Sequence, residues 1–234
     1  ASFSVEQKID RVLLTMGDEA NSRYVTWVNG EEETPCWLDY HAIGSSDTLS
    51  IEANPQVCHS RAGKTAFYSA SLENLENGVD YCYRVRAVSD STEWYRFHFQ
   101  DSIDYSFLFF GDLQEDEDAG FDTLFPAAVR QNSDVQFILF GGDLIERPTD
   151  HYWRITHQML DSVKKNYPIL SVTGNHEYLK GIETTLEERF PLTFKYFQKN
   201  MEEYGGNALY TFTQGDVRFY FLDSNRDFWH LFQQ

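Results

Sequence analysis

Three short runs in this chain carry residue types that could do chemistry together: Gly111-Asp112-Leu113-Gln114, Gly142-Asp143 and Gly174-Asn175-His176-Glu177. Asp112, Asp143 and Asn175 offer two carboxylates and a carboxamide, hard oxygen donors of the kind divalent cations take. A carboxylate shared between two cations can hold them roughly 3.5–4 Å apart, and such a pair activates water and clamps phosphoryl oxygens. Asp143 is our choice for that bridge. Asn175 adds a neutral amide oxygen, so a second cation can be held without excess ligand charge. His176 need not be a ligand, because beside the site it could protonate a leaving oxygen or neutralise developing charge.

These residues are useful only if the fold gathers them. Each run follows an apolar, β-rich segment (105–110, 135–140 and 167–172), and helical patterns lie between. Phe121–Gln131 carries Phe121, Leu124, Phe125 and Val129 at helical spacing, and 151–165 carries Trp153, Ile155, Met159, Leu160 and Val163. Strands alternating with helices imply parallel pairing with right-handed crossovers. The three runs then fall side by side at the carboxyl edge of one sheet, where open α/β sheets bind ligands. The glycine before each ligand residue is expected to let the chain turn with no side chain in the way. A charged, aromatic insertion over 178–204 follows, and 207–213 and 216–223 then read as a hairpin about Gln214-Gly215.

The first hundred residues have a different grammar. Seven candidate strands (11–16, 23–28, 35–41, 48–53, 65–71, 81–88 and 93–100) are separated by turn signals such as Asn29-Gly30 and Asn77-Gly78. That spacing predicts a sandwich of two antiparallel sheets. Leu72, Leu75, Gly78, Tyr81, Tyr83 and Val85 resemble the approach to the penultimate strand of a fibronectin type III-like domain. Tyr81 would be its corner tyrosine, bonded to backbone a few residues upstream.

Bulk composition narrows the function classes. The chain has 234 residues, 41% apolar and 16% aromatic, and a formal charge of −18. That balance argues against a reader of duplex nucleic-acid grooves, although bound cations can reverse the local field for a phosphate ester. No apolar run is long enough to span a membrane, and residues 1–10 lack the basic flank and apolar core of a signal peptide. Cys36, Cys58 and Cys82 show no metal-ligand spacing and allow one disulfide at most.

Gly-Asp-Leu-Gln, Gly-Gly-Asp and Gly-Asn-His-Glu, in this order, resemble the first three motifs of the calcineurin-like metallophosphoesterases. The preceding sandwich, with Val25-Thr26-Trp27 in its second strand, is similar to that of the purple acid phosphatase branch. The resemblance implies an α+β protein of two domains. Residues 1–101 would form an immunoglobulin- or fibronectin III-like all-β sandwich, and 102–234 part of an α/β metallophosphoesterase sandwich. It implies metal-dependent hydrolysis of a small-molecule or protein phosphate ester at two metal ions (Mn, Fe, Zn or Mg), with Asp112 on the first, Asp143 bridging and Asn175 on the second. His176 would be the catalytic histidine. It also implies an exported protein.

Three departures matter. The family places histidine two residues after the first aspartate, where this chain has Gln114, whose carbonyl oxygen suits Mg²⁺ or Mn²⁺ better than Zn²⁺ or iron. The purple enzymes place a metal-binding tyrosine three residues after the bridging aspartate, where this chain has Glu146. A colourless enzyme is therefore expected, with Glu146 as a substitute oxygen ligand or a solvated loop carboxylate. The family's later histidines, including a Gly-His-x-His motif, have no counterpart after Asp223; His230 lies in an amphipathic stretch with Phe228 and Trp229. The chain thus reads as the amino-terminal portion of a longer protein. Two alternatives follow from these departures. One is a catalytically degenerate docking module; the other is a single-metal structural domain using Asp112 and the acidic run 115–118.

Overall fold

The computed structural model describes residues 8–30, 33–60, 63–114, 120–178, 193–194 and 210–223. The amino-terminal part is a sandwich of eight strands. They are β1 (Ile9–Met16), β2 (Arg23–Asn29), β3 (Cys36–Ala42), β4 (Leu49–Ala53), β5 (Gln56–Ser60), β6 (Gly63–Leu72), β7 (Val79–Ala87) and β8 (Tyr95–Phe99). Two antiparallel sheets of four result, in the orders β1-β2-β6-β5 and β4-β3-β7-β8. The strand missing from the sequence expectation is β5. Its polar sequence puts only Cys58 inward, onto Val28 and Phe67, so it shows no run of alternating apolar residues. Elsewhere alternation sets the core: Tyr81, Tyr83, Val85 and Ala87 of β7 point inward. The Tyr81 hydroxyl accepts a hydrogen bond from the Glu76 N–H at 2.8 Å, closing the corner as expected.

β1 is buried on both faces. Val12 and Leu14 join the sandwich core, while Leu13 and Met16 join the core of the following half. The Leu14 N–H donates to the Lys164 carbonyl at 2.8 Å. The Thr15 and Tyr83 hydroxyls donate to the Ile169 and Lys165 carbonyls, each at 2.7 Å. The two halves therefore share a packed and hydrogen-bonded seam.

That second half is built on β9 (Phe107–Phe110), β10 (Phe137–Phe140) and β11 (Ile169–Ser171), a parallel sheet in the order β11-β10-β9. Helices α1 (Phe121–Gln131) and α2 (Asp150–Met159) supply the crossovers. Phe125 and Val129 of α1 are buried, with Phe110 packed edge-to-face on Phe125 at 5.3 Å and Phe140 tilted against it at 5.9 Å. Leu124, expected on that same face, is 61% exposed; it sits one residue before Phe125 and so about 100° around the helix from the buried stripe. α2 is shorter than its apolar pattern, because after Met159 the chain continues through tight turns that still bury Leu160 and Val163. The hairpin β12 (Tyr210–Gln214) and β13 (Val217–Phe221) packs Phe212 and Phe219 on Phe137 at 5.4 and 5.5 Å. It is a second layer of two strands among the described residues.

Candidate active site

β10 is the middle strand of the parallel sheet, and its end organises the site. Phe110, Phe140 and Ser171 lie abreast across the three strands, so the three motif-bearing loops leave the sheet at one edge. The Gln114 N–H donates to the Asp143 carbonyl at 2.8 Å, tying the first loop to the second. The His176 N–H donates to Asp143 Oδ1, also at 2.8 Å, tying the third loop to the second. Asp112 and Asn175 are exposed at this edge, and Asp143 is half-buried between their loops.

The backbone at two of these positions is unusual. Asp112 and Asp143 adopt φ of 50° and 51°, left-handed conformations that aspartate tolerates better than most side chains. The ligand residues thus make part of the turn themselves, and the expectation for the preceding glycines holds unevenly. Gly142 has φ of 97°, and a Cβ there would lie 2.7 Å from Gly174 N and 2.8 Å from its Cα. A Cβ on Gly174 would overlap Asp143 N and Oδ1. At Gly111 no atom comes within 4 Å of that position, so no close approach requires a glycine there.

Glu177 has the largest structural part of any residue to which sequence reasoning gave no role. Its side chain is 1% exposed, and it accepts three backbone N–H bonds. Oε1 takes Leu144 N at 2.8 Å; Oε2 takes Gly174 N at 2.6 Å and Asp143 N at 3.1 Å. One carboxylate therefore clamps the second loop to the third. Burial pushes its pKa up to about 7, against the pull of the N–H donors. Its partners are main-chain amides, two of them more than thirty residues away, and main-chain amides leave no mark in the sequence.

His176 opens a short 3-10 turn, His176–Tyr178. Its Nδ1 lies 2.8 Å from the Glu146 carbonyl and 3.5 Å from the Glu146 carboxylate. A carbonyl only accepts, so the proton sits on Nδ1 and Nε2 is left for other partners. The structure turns Glu146 toward the histidine, a position the sequence reading did not anticipate. The Tyr178 hydroxyl bonds the buried Asp223 carboxylate at the end of β13, bringing the hairpin to the rim of the site. The acidic run 115–118, the stretch containing Phe228, Trp229 and His230, and nearly all of 178–204 lie outside the described residues.

Residues 105–232 match the model of the calcineurin-like phosphoesterase family, and residues 9–99 that of the purple acid phosphatase N-terminal domain. The chain belongs to the calcineurin-like phosphoesterases. Its fold is similar to a purple acid phosphatase from yellow lupin (Lupinus luteus) seeds, with a TM-score of 0.69 at 14% identity, over 100% of this chain and 49% of that one. It is also similar to PhoD, with a TM-score of 0.58 at 12% identity over 96% and 53%. The chain thus spans about half the length of both solved structures. No match was found among curated protein sequences.

The donors of this chain fit the metals its family implies in kind but not in number. Among the described residues Gln114 Oε1 is buried and has no hydrogen-bond partner, and an orphaned amide oxygen is what a hard cation would take up. With the oxygens of Asp112, Asp143 and Asn175 it makes an all-oxygen set. Among the described residues no three of His, Cys, Asp and Glu converge closely enough to hold an ion. Mg²⁺ or Mn²⁺ would need further donors to reach about six.

Proposed function

We propose that the chain is the part of a metal-dependent phosphoesterase that supplies Asp112, Gln114, Asp143 and Asn175 as metal ligands and His176 as the proton-handling group. The observation that carries this reading is the joining of the three loops around Asp143, with the Gln114 amide oxygen buried and without a hydrogen-bond partner among the described residues. Two divalent ions in such a site would supply an activated water and charge stabilisation for a transferring phosphoryl group. The protein's own contribution is positional. Glu177 and the glycines at 142 and 174 hold Asp143 within reach of both neighbouring loops. His176, with Nδ1 donating to the Glu146 carbonyl, presents Nε2 as the nitrogen that, once protonated in the imidazolium form, would give a proton to a leaving oxygen. An exported location and a small-molecule or protein phosphate ester as substrate go with this reading. Among the described residues no helix is long and apolar enough to cross a membrane.

One observation favours a second reading, a docking module that has lost catalysis: the described residues hold an incomplete metal shell. Turnover of aryl phosphate mono- and diesters with Mn²⁺ separates the two, read alongside bound metal per chain. The enzyme reading expects two ions per chain, and turnover that His176→Ala lowers by about 10²–10⁴-fold with fold and metal content kept. Metal uptake without turnover in the whole protein, with the remaining donors supplied, would favour the docking module. A single ion that His176→Ala leaves undisturbed would favour a structural site.

A further inference from the structure

We propose that Arg11, on the first strand of the sandwich, is a positioning residue for the His176 loop. It holds the start of α2 through Asp150 and so keeps Glu146 against the imidazole. The inference rests on the reading of His176 as the proton-handling group.

Four observations meet at this residue. Arg11 has φ of 56°, a left-handed conformation rare for a long side chain. The β1–β2 register shifts between Asp10 and Leu13, which is how a β-bulge re-aims a side chain out of a ladder. The re-aimed guanidinium is only 9% exposed, and its Nη2 lies 3.0 Å from Asp150 Oδ1, itself 20% exposed. Asp150 is the first residue of α2, directly after the N-cap Thr149, whose hydroxyl accepts from the Tyr152 N–H.

The path from Asp150 to the site is short. Residues 144–149 connect Asp143 to the helix, with Leu144 and Ile145 buried, and the Glu146 carbonyl in that stretch receives His176 Nδ1. The Thr156 hydroxyl, nearly two turns into α2, donates to the Leu144 carbonyl at 2.8 Å, so helix and loop move together. The ties from Leu14, Thr15 and Tyr83 reach the segment 164–169 on the far side of α2. Arg11 reaches the near side, where the loop carrying Glu146 enters the helix. A strained residue that buries an ion pair persists only where its surroundings over-determine it. Arg11 thereby adds to the packed seam a direct polar tie from the sandwich to the start of α2.

The test uses the full chain, with histidine labelled at ¹³Cε1 and the His176 resonance identified by its loss in His176→Gln. Arg11→Gln and Asp150→Asn are each expected to move that resonance at constant pH. They are also expected to speed amide hydrogen exchange across 143–149 by about tenfold. Arg11→Lys should restore part of both, and the double variant should do no more than either single one. If Arg11→Gln does not fold, Asp150→Asn gives the same reading, since it removes the charge of the ion pair while leaving Arg11 and its backbone in place. A melting temperature that falls while the His176 resonance and loop exchange stay at wild-type values would overturn the proposal. Neither readout needs turnover, so a chain that hydrolyses no ester still decides the question.

Discussion

Replacing Gly174 with alanine strikes the closest approach in the site. The new methyl would overlap the nitrogen and Oδ1 of Asp143, far inside the 3.0 Å that real Cβ atoms keep from such neighbours. Relief needs the second and third loops to part by about 1 Å. That movement stretches the His176 N–H bond to Asp143 Oδ1, now 2.8 Å, and the Gly174 N–H bond to Glu177 Oε2, now 2.6 Å. Overpacking of this kind costs about 1–3 kcal/mol, and each weakened bond to a charged acceptor about 1.5–3 kcal/mol. The terms share one displacement and do not add fully, so a net loss of about 3–5 kcal/mol is expected. A protein with about 5–15 kcal/mol of stability would remain folded in most of that range. Gly111→Ala is the matched control: it changes the same motif position at the first loop, but nothing lies within 4 Å of the added methyl. Its expected effect is within about 0.5 kcal/mol of zero. Gly142→Ala, with φ of 97° and Gly174 at 2.7 Å, should rank with Gly174→Ala. Urea unfolding of the three variants in EDTA gives the ranking, and Mn²⁺ titration calorimetry should show weaker uptake for Gly174→Ala and Gly142→Ala only. A Gly111→Ala loss equal to that of Gly174→Ala, or a Gly174→Ala variant as stable as wild type, would refute the reasoning.

Tyr81→Phe removes the hydroxyl that accepts the Glu76 N–H, and should lower stability by about 1 kcal/mol in urea with an unchanged denaturant slope. Thr15→Val deletes a buried hydroxyl bonded to the Ile169 carbonyl across the seam; a similar loss, about 1 kcal/mol, is expected. A neutral result would mean that the seam is held by packing alone. Lys164 is 2% exposed, and burial lowers its pKa from 10.5 to about 8. Between those values the unfolded chain holds the proton that the folded chain has lost, so stability rises with pH. The difference in unfolding free energy between wild type and Lys164→Met should therefore climb from pH 8 to 10.5, by at most about 1.4 kcal/mol per unit. A flat difference would show that Lys164 keeps its proton in the fold.

What the sequence made legible is what side chains write in a period or a type. Apolar runs ending in Gly-Asp or Gly-Asn located three strand ends, and their alternation with helices ordered them, so Asp143 was expected between Asp112 and Asn175. The second role of β1 was written too: Arg11–Met16 reads Val12-Leu13-Leu14 without alternation, the pattern of a strand buried on both faces. The Glu177 clamp was not. Its three partners are backbone N–H groups, which every residue but proline owns, so no spacing could single them out. The register that brings Gly174 against Asp143 is a tertiary fact of the same kind.

The left-handed aspartates show how far a residue's type can mislead about its job. A carboxylate at a strand end invites a chemical explanation, yet the φ of 51° at Asp143 would also select aspartate or asparagine on conformational grounds alone. Holding a non-glycine residue there costs on the order of 1 kcal/mol, and the bonds of Glu177 to Asp143 and Gly174 offset it. Asp143→Asn separates the two explanations, because asparagine keeps the tolerance for left-handed backbone and loses the charge. If the carboxylate is there for cations, that variant should unfold at nearly wild-type urea concentration and take up little Mn²⁺. If it is there for the turn, Asp143→Asn should bind as before and only Asp143→Ala should suffer.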